Sequence, residues 1–377
     1  MNMDKERFNQ LLTAIILDGT GISDLLFIPG RPPQMDRYGQ LHAYKGRLAE
    51  PLVSSQFTEQ LAGLLIEGNE RLGKELLSNG SCDCSYDLPG AARFRVNVYR
   101  QNGQMAVVMR KLSNTVPEVG QLGLPPVITE IVKERTGIIF VTGATGMGKT
   151  TTIASILHEL NKTRDIHVIT LEDPIEFLHT TIRATFSQRE FGRDFFSYAV
   201  GLRAALRQAP RAIFVGEIRD RDTMEVALSA AETGHLVLTT LHTINAGQTI
   251  NRILGMFDKD EEQIMRQRLA DTLRWVLCQQ LVSRIGGGLH LVTEVMGSNL
   301  RSREVITLGE AERRNVHEII EGSVSPWGWH SFEQSLLKAY VAGIITEENA
   351  MLHSTHKSKL GRAIDAAGPR RMQPQSA

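Results

Sequence analysis

Residues 137–150 read GIIFVTGATGMGKT, and residues 151–160 continue TTIASILHEL. The first six are apolar and rich in β-branched side chains, the texture of a strand buried on both faces. The last ten carry apolar side chains at helical spacing. Between them, residues 143–150 fit G-x-x-x-x-G-K-[ST], a phosphate-binding loop. Gly143, Gly146 and Gly148 let main-chain N–H groups turn inward with no Cβ in the way. Lys149 is expected on the β- and γ-phosphates and the Thr150 hydroxyl on Mg²⁺, with Thr145 and Thr151 among the nucleotide contacts. A strand running into the motif and a helix running out of it separate a true phosphate loop from a fortuitous glycine-rich turn.

Working outward, IHVITLE at 166–172, AIFVGE at 212–217 and HLVLTTLH at 235–242 are short apolar runs of the same kind. Strands buried on both faces belong to parallel sheets covered by helices. Glu217 ends its strand, where a carboxylate lies beside the phosphate-loop crevice and can hold Mg²⁺ or polarise water. LEDPIEF at 171–177 gathers Glu172, Asp173 and Glu176, whose mutual repulsion is costly unless a cation or polar ligand compensates it. His235 and His242 bracket the last strand and are both expected at the nucleotide, sensing the γ-phosphate by hydrogen bonding.

The remainder divides by texture. Residues 1–110 read as a mixed α/β domain. Apolar periodicity at 8–17 and 57–77 predicts helices, and alternation over 92–109 predicts a hairpin turning at Asn102-Gly103. KLSNTVPEVGQLGLPP at 111–126 lacks helical periodicity and reads as a flexible connection. Residues 127–355 read as the domain that carries the phosphate-binding loop, with a helical C-terminal part, where apolar spacing predicts one helix across 263–282. Residues 356–377 read as a disordered tail.

Composition excludes several classes. The 42 basic and 42 acidic side chains cancel, and aromatic residues make up 6%. That leaves no global pull toward nucleic acid or anionic lipid, and a nucleic-acid translocase would need a basic, aromatic-bearing channel. No run approaches 18 uninterrupted apolar residues, so no spanning helix is expected. The N-terminal segment MNMDKERFNQLLTAIILDG reads as an amphipathic helix rather than a secretory signal. Cys82, Cys84 and Cys278 cannot make a disulfide framework or a four-cysteine zinc site, which points to a cytosolic protein with reduced thiols.

Taken together, GATGMGKT, LEDPIEF, AIFVGEIRD and AETGHLVLTTLHT resemble, in order and spacing, the Walker A, aspartate, Walker B and histidine boxes of secretion ATPases. They are most similar to the type IV pilus retraction (twitching motility) ATPases. GISDLLFIPGRPPQMDRYGQL and ARFRVN resemble the start and the arginine-bearing strand of that family's first domain. The resemblance implies a PAS-like N-terminal domain joined to a RecA-like ATPase domain, with ATP between them. It implies a homo-hexameric ring, cytoplasmic and peripheral at the inner membrane, coupled to a pilus platform protein and in some systems to a paralogous retraction ATPase. Carried over residue by residue, Glu176 would activate water, Glu217 would stand on the metal side and His242 near the γ-phosphate. Arg93, Arg95 and Arg110 would neutralise charge on the phosphoryl group. GEAERRNVHEIIEG stands where the family usually carries AIRNLIRE, with Arg314-Asn315 in place, and SVSPWGWHSFEQSLLKAY at 323–340 brings Trp327 and Trp329. A related secretion or conjugation ATPase, or an accessory retraction paralogue, is the alternative reading.

Overall fold

The computed structural model describes residues 4–46, 51–112, 115–311, 315–323 and 328–368. They divide into two units, Met1–Thr115 with Pro174–Leu178, and Val116–Asp173 with His179–Ala377.

The first unit begins with α1 (Lys5–Leu17), whose N-terminus is capped by the Asp4 carboxylate accepting from Arg7 N. Its period puts Phe8, Leu11, Leu12 and Ile15 on one buried face. Then follow β1 (Ile22–Phe27), β2 (Gln34–Arg37), β3 (Gln40–Ala43), α2 (Ser55–Ile66), α3 (Glu70–Asn79), β4 (Ser81–Leu88), β5 (Ala92–Gln101) and β6 (Gln104–Lys111). The strands pair antiparallel in the order β3-β2-β1-β6-β5-β4. Asn102 and Gly103 turn the β5–β6 hairpin at φ 48° and 76°, the two left-handed residues of a primed turn. Phe94, Val96 and Val98 are fully buried and share one core with the α1 face. Arg93 and Arg95 alternate onto the other face of β5. The helix expected across 57–77 is two helices: Gly68 sits at φ 74° and the Asn69 side chain caps a fresh start by accepting from Leu72 N.

The second unit holds a seven-stranded sheet. Its elements are α4 (Ile128–Ile131), β7 (Gly137–Thr142), α5 (Lys149–Thr163), β8 (His167–Glu172), β9 (Thr185–Glu190), α6 (Tyr198–Ala205), β10 (Ala212–Val215), α7 (Arg221–Glu232), β11 (Leu236–Leu241), α8 (Ala246–Leu254) and α9 (Glu262–Thr272). They continue with β12 (Leu273–Ser283), β13 (Leu289–Gly297), α10 (Leu300–Leu308), α11 (Val316–Glu321), α12 (Phe332–Val341), α13 (Glu347–His353) and α14 (Lys357–Ala367). The order is β13-β12-β7-β11-β10-β8-β9. Every neighbouring pair is parallel except β12–β13. β7, β10 and β11 are buried at every position, as strands covered by helices on both faces must be.

Three further expectations are corrected. The helix expected across 263–282 ends at Thr272, and Leu273–Ser283 is a strand. Trp275 through Cys278 are four consecutive buried residues, so the sheet buries both faces there and helical spacing was coincidental. The stretch 111–126 is not a free connection throughout. Ser155 donates to Pro117 O at 2.6 Å, and Lys162 reaches the Glu118 carboxylate at 2.5 Å, which ties 117–118 to α5. The disordered tail expected at 356–377 is helical over Lys357–Ala367, which buries Leu360 and Ile364; 369–377 lie outside the described residues. Trp329 is buried in the core, while Arg314 and Trp327 lie outside the described residues. Among the described residues no helix is long and apolar enough to cross a membrane.

Leu360 is 1% exposed. Leu360→Ala is expected to destabilise the second unit by about 2–4 kcal/mol, read as a lowered thermal or denaturant midpoint. An unshifted midpoint would return this segment to a loosely attached tail.

Candidate active site

Parallel strands of one sheet end at one edge, so the loops that follow them meet there. The register aligns Leu241 with Thr142, and Val215 with both Thr239 and Leu171. The loop at 143–148, Glu172, Glu217 and His242 therefore share the carboxyl edge. In the loop, Gly143 has φ 148°, and a Cβ there would stand 2.5 Å from the Gln279 carbonyl oxygen. Gly146 and Gly148 sit at φ 80° and 79°, and Gly148 hands the chain to α5 as its N-cap. The positive end of α5 then points its unsatisfied N–H groups at the loop. Thr145 is exposed in this loop, and Thr150 and Thr151 are half-buried in the first turn of α5.

Lys149 is buried, and an ammonium out of water must be satisfied. Its Nζ donates to Gly143 O at 2.9 Å and Ala144 O at 3.0 Å, and lies 3.4 Å from His242 Nδ1. His242 Nε2 stands 3.3 Å from Glu217 Oε1, and Arg219 donates to Glu217 Oε2 at 2.8 Å. The polar chain Lys149–His242–Glu217–Arg219 thus links the ends of three elements. Burial pushes the Glu217 carboxyl up, but Arg219 and His242 outweigh it and hold it below the usual carboxylate range. Glu217 is ionised at neutral pH.

The acids of LEDPIEF separate instead of crowding one ion. Glu172 is buried and accepts from Thr170 Oγ1 at 2.6 Å and Gln188 Nε2 at 3.3 Å. Asp173 is exposed, and Glu176 is half-buried in the segment Pro174–Leu178, which belongs to the first unit. Arg93, Arg95 and Arg110 are likewise in the first unit. Arg93 is buried with Nε 3.4 Å from Asp87, whereas Arg95 and Arg110 are exposed partners across β5–β6. Like charges directly opposite are destabilising. Asp24 offsets one of them, accepting from Arg110 Nε at 2.9 Å.

His235 departs from expectation. Its carbonyl accepts from Gly137 N at the amino edge of the sheet, and its Nδ1 lies 3.1 Å from Ala230 O. With the six residues of β11 between them, it lies seven steps from His242, about 23 Å at ~3.3 Å per residue. It does not reach the phosphate loop of its own chain. Conversely, Gln279 was missed. It is 1% exposed on β12, donates from Nε2 to Met147 O at 2.5 Å, and presses its own carbonyl against Gly143. The one available signal was a polar pair, Gln279-Gln280, inside an otherwise apolar run.

Gly143→Ala is expected to weaken nucleotide binding at least tenfold with the circular dichroism unchanged, because the added carbon must displace the loop or β12. His235→Gln is expected to leave affinity within about twofold, measured by titration with a fluorescent nucleotide. A tenfold loss in His235→Gln would place that histidine back at the nucleotide.

Comparison with known proteins agrees with this geometry. The profile described as type II/IV secretion system protein matches residues 83–323. The chain is 36% identical over 330 residues to the type IV pilus retraction ATPase PilT of Pseudomonas aeruginosa, covering 88% of this chain and 93% of PilT. It is 33% identical over 368 residues to the type IV pilus ATPase PilU of the same organism, covering 95% and 93%. A crystal structure of the pilus retraction motor PilT with bound ADP superposes with a TM-score of 0.83 at 37% identity, covering 94% of this chain and 98% of that one. A P-loop of this geometry and likeness of this extent have one reading: the chain belongs to the type II/IV secretion system protein family, as a PilT-like ATPase.

Proposed function

We propose that the chain hydrolyses ATP to drive type IV pilus retraction, and so twitching motility. The observation that carries this reading is the linked set Lys149, His242 and Glu217 at the mouth of the phosphate loop, in a chain alike along most of its length to a pilus retraction motor.

Each residue has a role that follows from its chemistry. Main-chain N–H groups of 143–150 and the N-terminus of α5 receive the phosphates. Lys149 exchanges the carbonyls of Gly143 and Ala144 for β- and γ-phosphate oxygens, a swap that costs little because the loop already holds it in place. The Thr150 hydroxyl and the ionised Glu217 are hard oxygen ligands suited to Mg²⁺. When bound with the nucleotide, the ion would neutralise charge on the β- and γ-phosphates. His242 bridges Lys149 and Glu217 and can report phosphate occupancy to both. By family likeness Glu176 orients and deprotonates the attacking water. Arg93, Arg95 and Arg110 supply countercharge as negative charge develops on the phosphoryl group. An anion at Arg95 and Arg110 would also relieve their mutual repulsion.

The first unit is read as PAS-like and the second as RecA-like, working as a homo-hexamer. The ring sits at the inner membrane through a platform protein, with a paralogue such as PilU as a further partner. Hydrolysis would turn one unit against the other as hinge motion.

Lys149→Ala is expected to lower phosphate release at least ~10²-fold, and Glu176→Gln to trap ATP in an assembled ring of hexameric mass by light scattering. Turnover within about twofold of wild type in Glu176→Gln would transfer the base to Glu217. In cells, loss of the gene should leave surface pili without twitching. Rescue of twitching by Lys149→Ala would exclude the motor reading.

A further inference from the structure

Helices α11, α12 and α14 converge on a group of side chains that the nucleotide site does not use. His317 and Glu321 lie one turn apart on α11, which puts both on the same face. Glu333 enters from the first turn of α12 and is 4% exposed. One ligand atom from each of the three lies within 4.8 Å of the other two. His317 Nε2 and Glu321 Oε1 are 3.2 Å apart, yet that nitrogen has no hydrogen-bond partner among the described residues. Two ligands each about 2.0–2.1 Å from a tetrahedral zinc stand roughly 3.3 Å apart. The separation therefore suits a shared ion and the alignment does not suit a hydrogen bond.

Glu333 gives the independent sign. Its Oε1 accepts from Ser354 Oγ at 3.0 Å, Thr355 N at 3.2 Å and His356 N at 3.0 Å, which fixes the carboxylate plane. Its Oε2 is buried with no hydrogen-bond partner among the described residues. A buried carboxylate oxygen left bare is expensive unless a cation completes it. The outer groups are arranged as metal ligands require. Ser331 donates to Glu321 Oε1 at 3.0 Å, and Lys359 pairs with Glu321 Oε2. The His356 ring stacks on His317 at 3.9 Å, and a cavity of about 290 Å³ beside both gives an entry path.

The geometry points to a binding site for a divalent transition-metal ion, Zn²⁺ by ligand chemistry, held by His317, Glu321 and Glu333. One imidazole with two carboxylates suits Zn²⁺, and the nitrogen ligand disfavours Mg²⁺ and Ca²⁺. The ion would clip α11 to α12, helices that follow one another in the chain.

The test uses full-length protein free of nucleotide and Mg²⁺, loaded with ZnCl₂, desalted and measured for bound metal, with Co²⁺ absorption as a geometric probe. One equivalent of Zn²⁺ per chain is expected, with a higher Tm than the chelator-treated protein. His317→Ala should weaken binding at least tenfold and remove the Tm response, while Lys149→Ala keeps the full equivalent. If His317→Ala does not fold, the near-isosteric Glu321→Gln takes its place. No bound equivalent in the wild type, or one that survives the ligand substitution, overturns the site and leaves an ion-pair network.

Discussion

The second unit is organised around one buried ammonium. Lys149 sits buried at the start of α5, so its charge must be met by protein dipoles. Two carbonyls of its own loop and the ring of His242 meet it. That requirement shapes the neighbourhood. The loop carbonyls must turn inward, so the chain at Gly143 takes a backbone conformation and a proximity to Gln279 that a side chain would block. β7 must end at Thr142 and β11 at Leu241, in register, so that His242 arrives at the right height. Glu217 then compensates the histidine from the next strand.

The fold core was legible because it obeys local rules. Fully apolar β-branched runs between helical segments report a parallel sheet, and their carboxyl ends report the site without any knowledge of strand order. Legibility failed where one signal served two structures. Leu273, Val276, Leu277 and Leu281 fall at helical spacing, yet a strand buried on both faces needs no alternation, so helical spacing arises there by chance. His235 and His242 look equivalent as brackets of one strand, but direction along a parallel strand makes them opposite: one edge carries loops to the nucleotide and the other does not. Gln279 lies about 130 residues from the loop it holds, a partner that no short-range pattern reveals.

Polar groups in the first unit show the same economy. Along the arginine-bearing strand β5, Phe94, Val96 and Val98 face the core while Arg93 and Arg95 take the other face, Arg93 buried there and Arg95 exposed. Pairing then sets Arg95 opposite Arg110, an arrangement that a stability-driven sequence would avoid. Asp24, across the other side of β6, compensates Arg110. β5 and β6 thus retain two facing guanidinium groups at a cost in self-repulsion that Asp24 only partly offsets.

β12 shows why the C-terminal helices are more than an appendage. Gln279 points to the phosphate loop and donates to Met147 O, while its neighbour Gln280 turns the other way and meets His353 of α13 at 3.1 Å. The same strand pairs with β13, which is bridged at Val295 to His330, just ahead of α12. Thr293 on β13 adds a side-chain contact to His330 at 2.8 Å. Because packed cores shift between discrete arrangements rather than deform continuously, a change in the loop that moves β12 must be accommodated in α12 and α13. The C-terminal part is where this chain departs from the AIRNLIRE pattern. Its helices therefore pack on the same two strands, one of which holds the nucleotide loop.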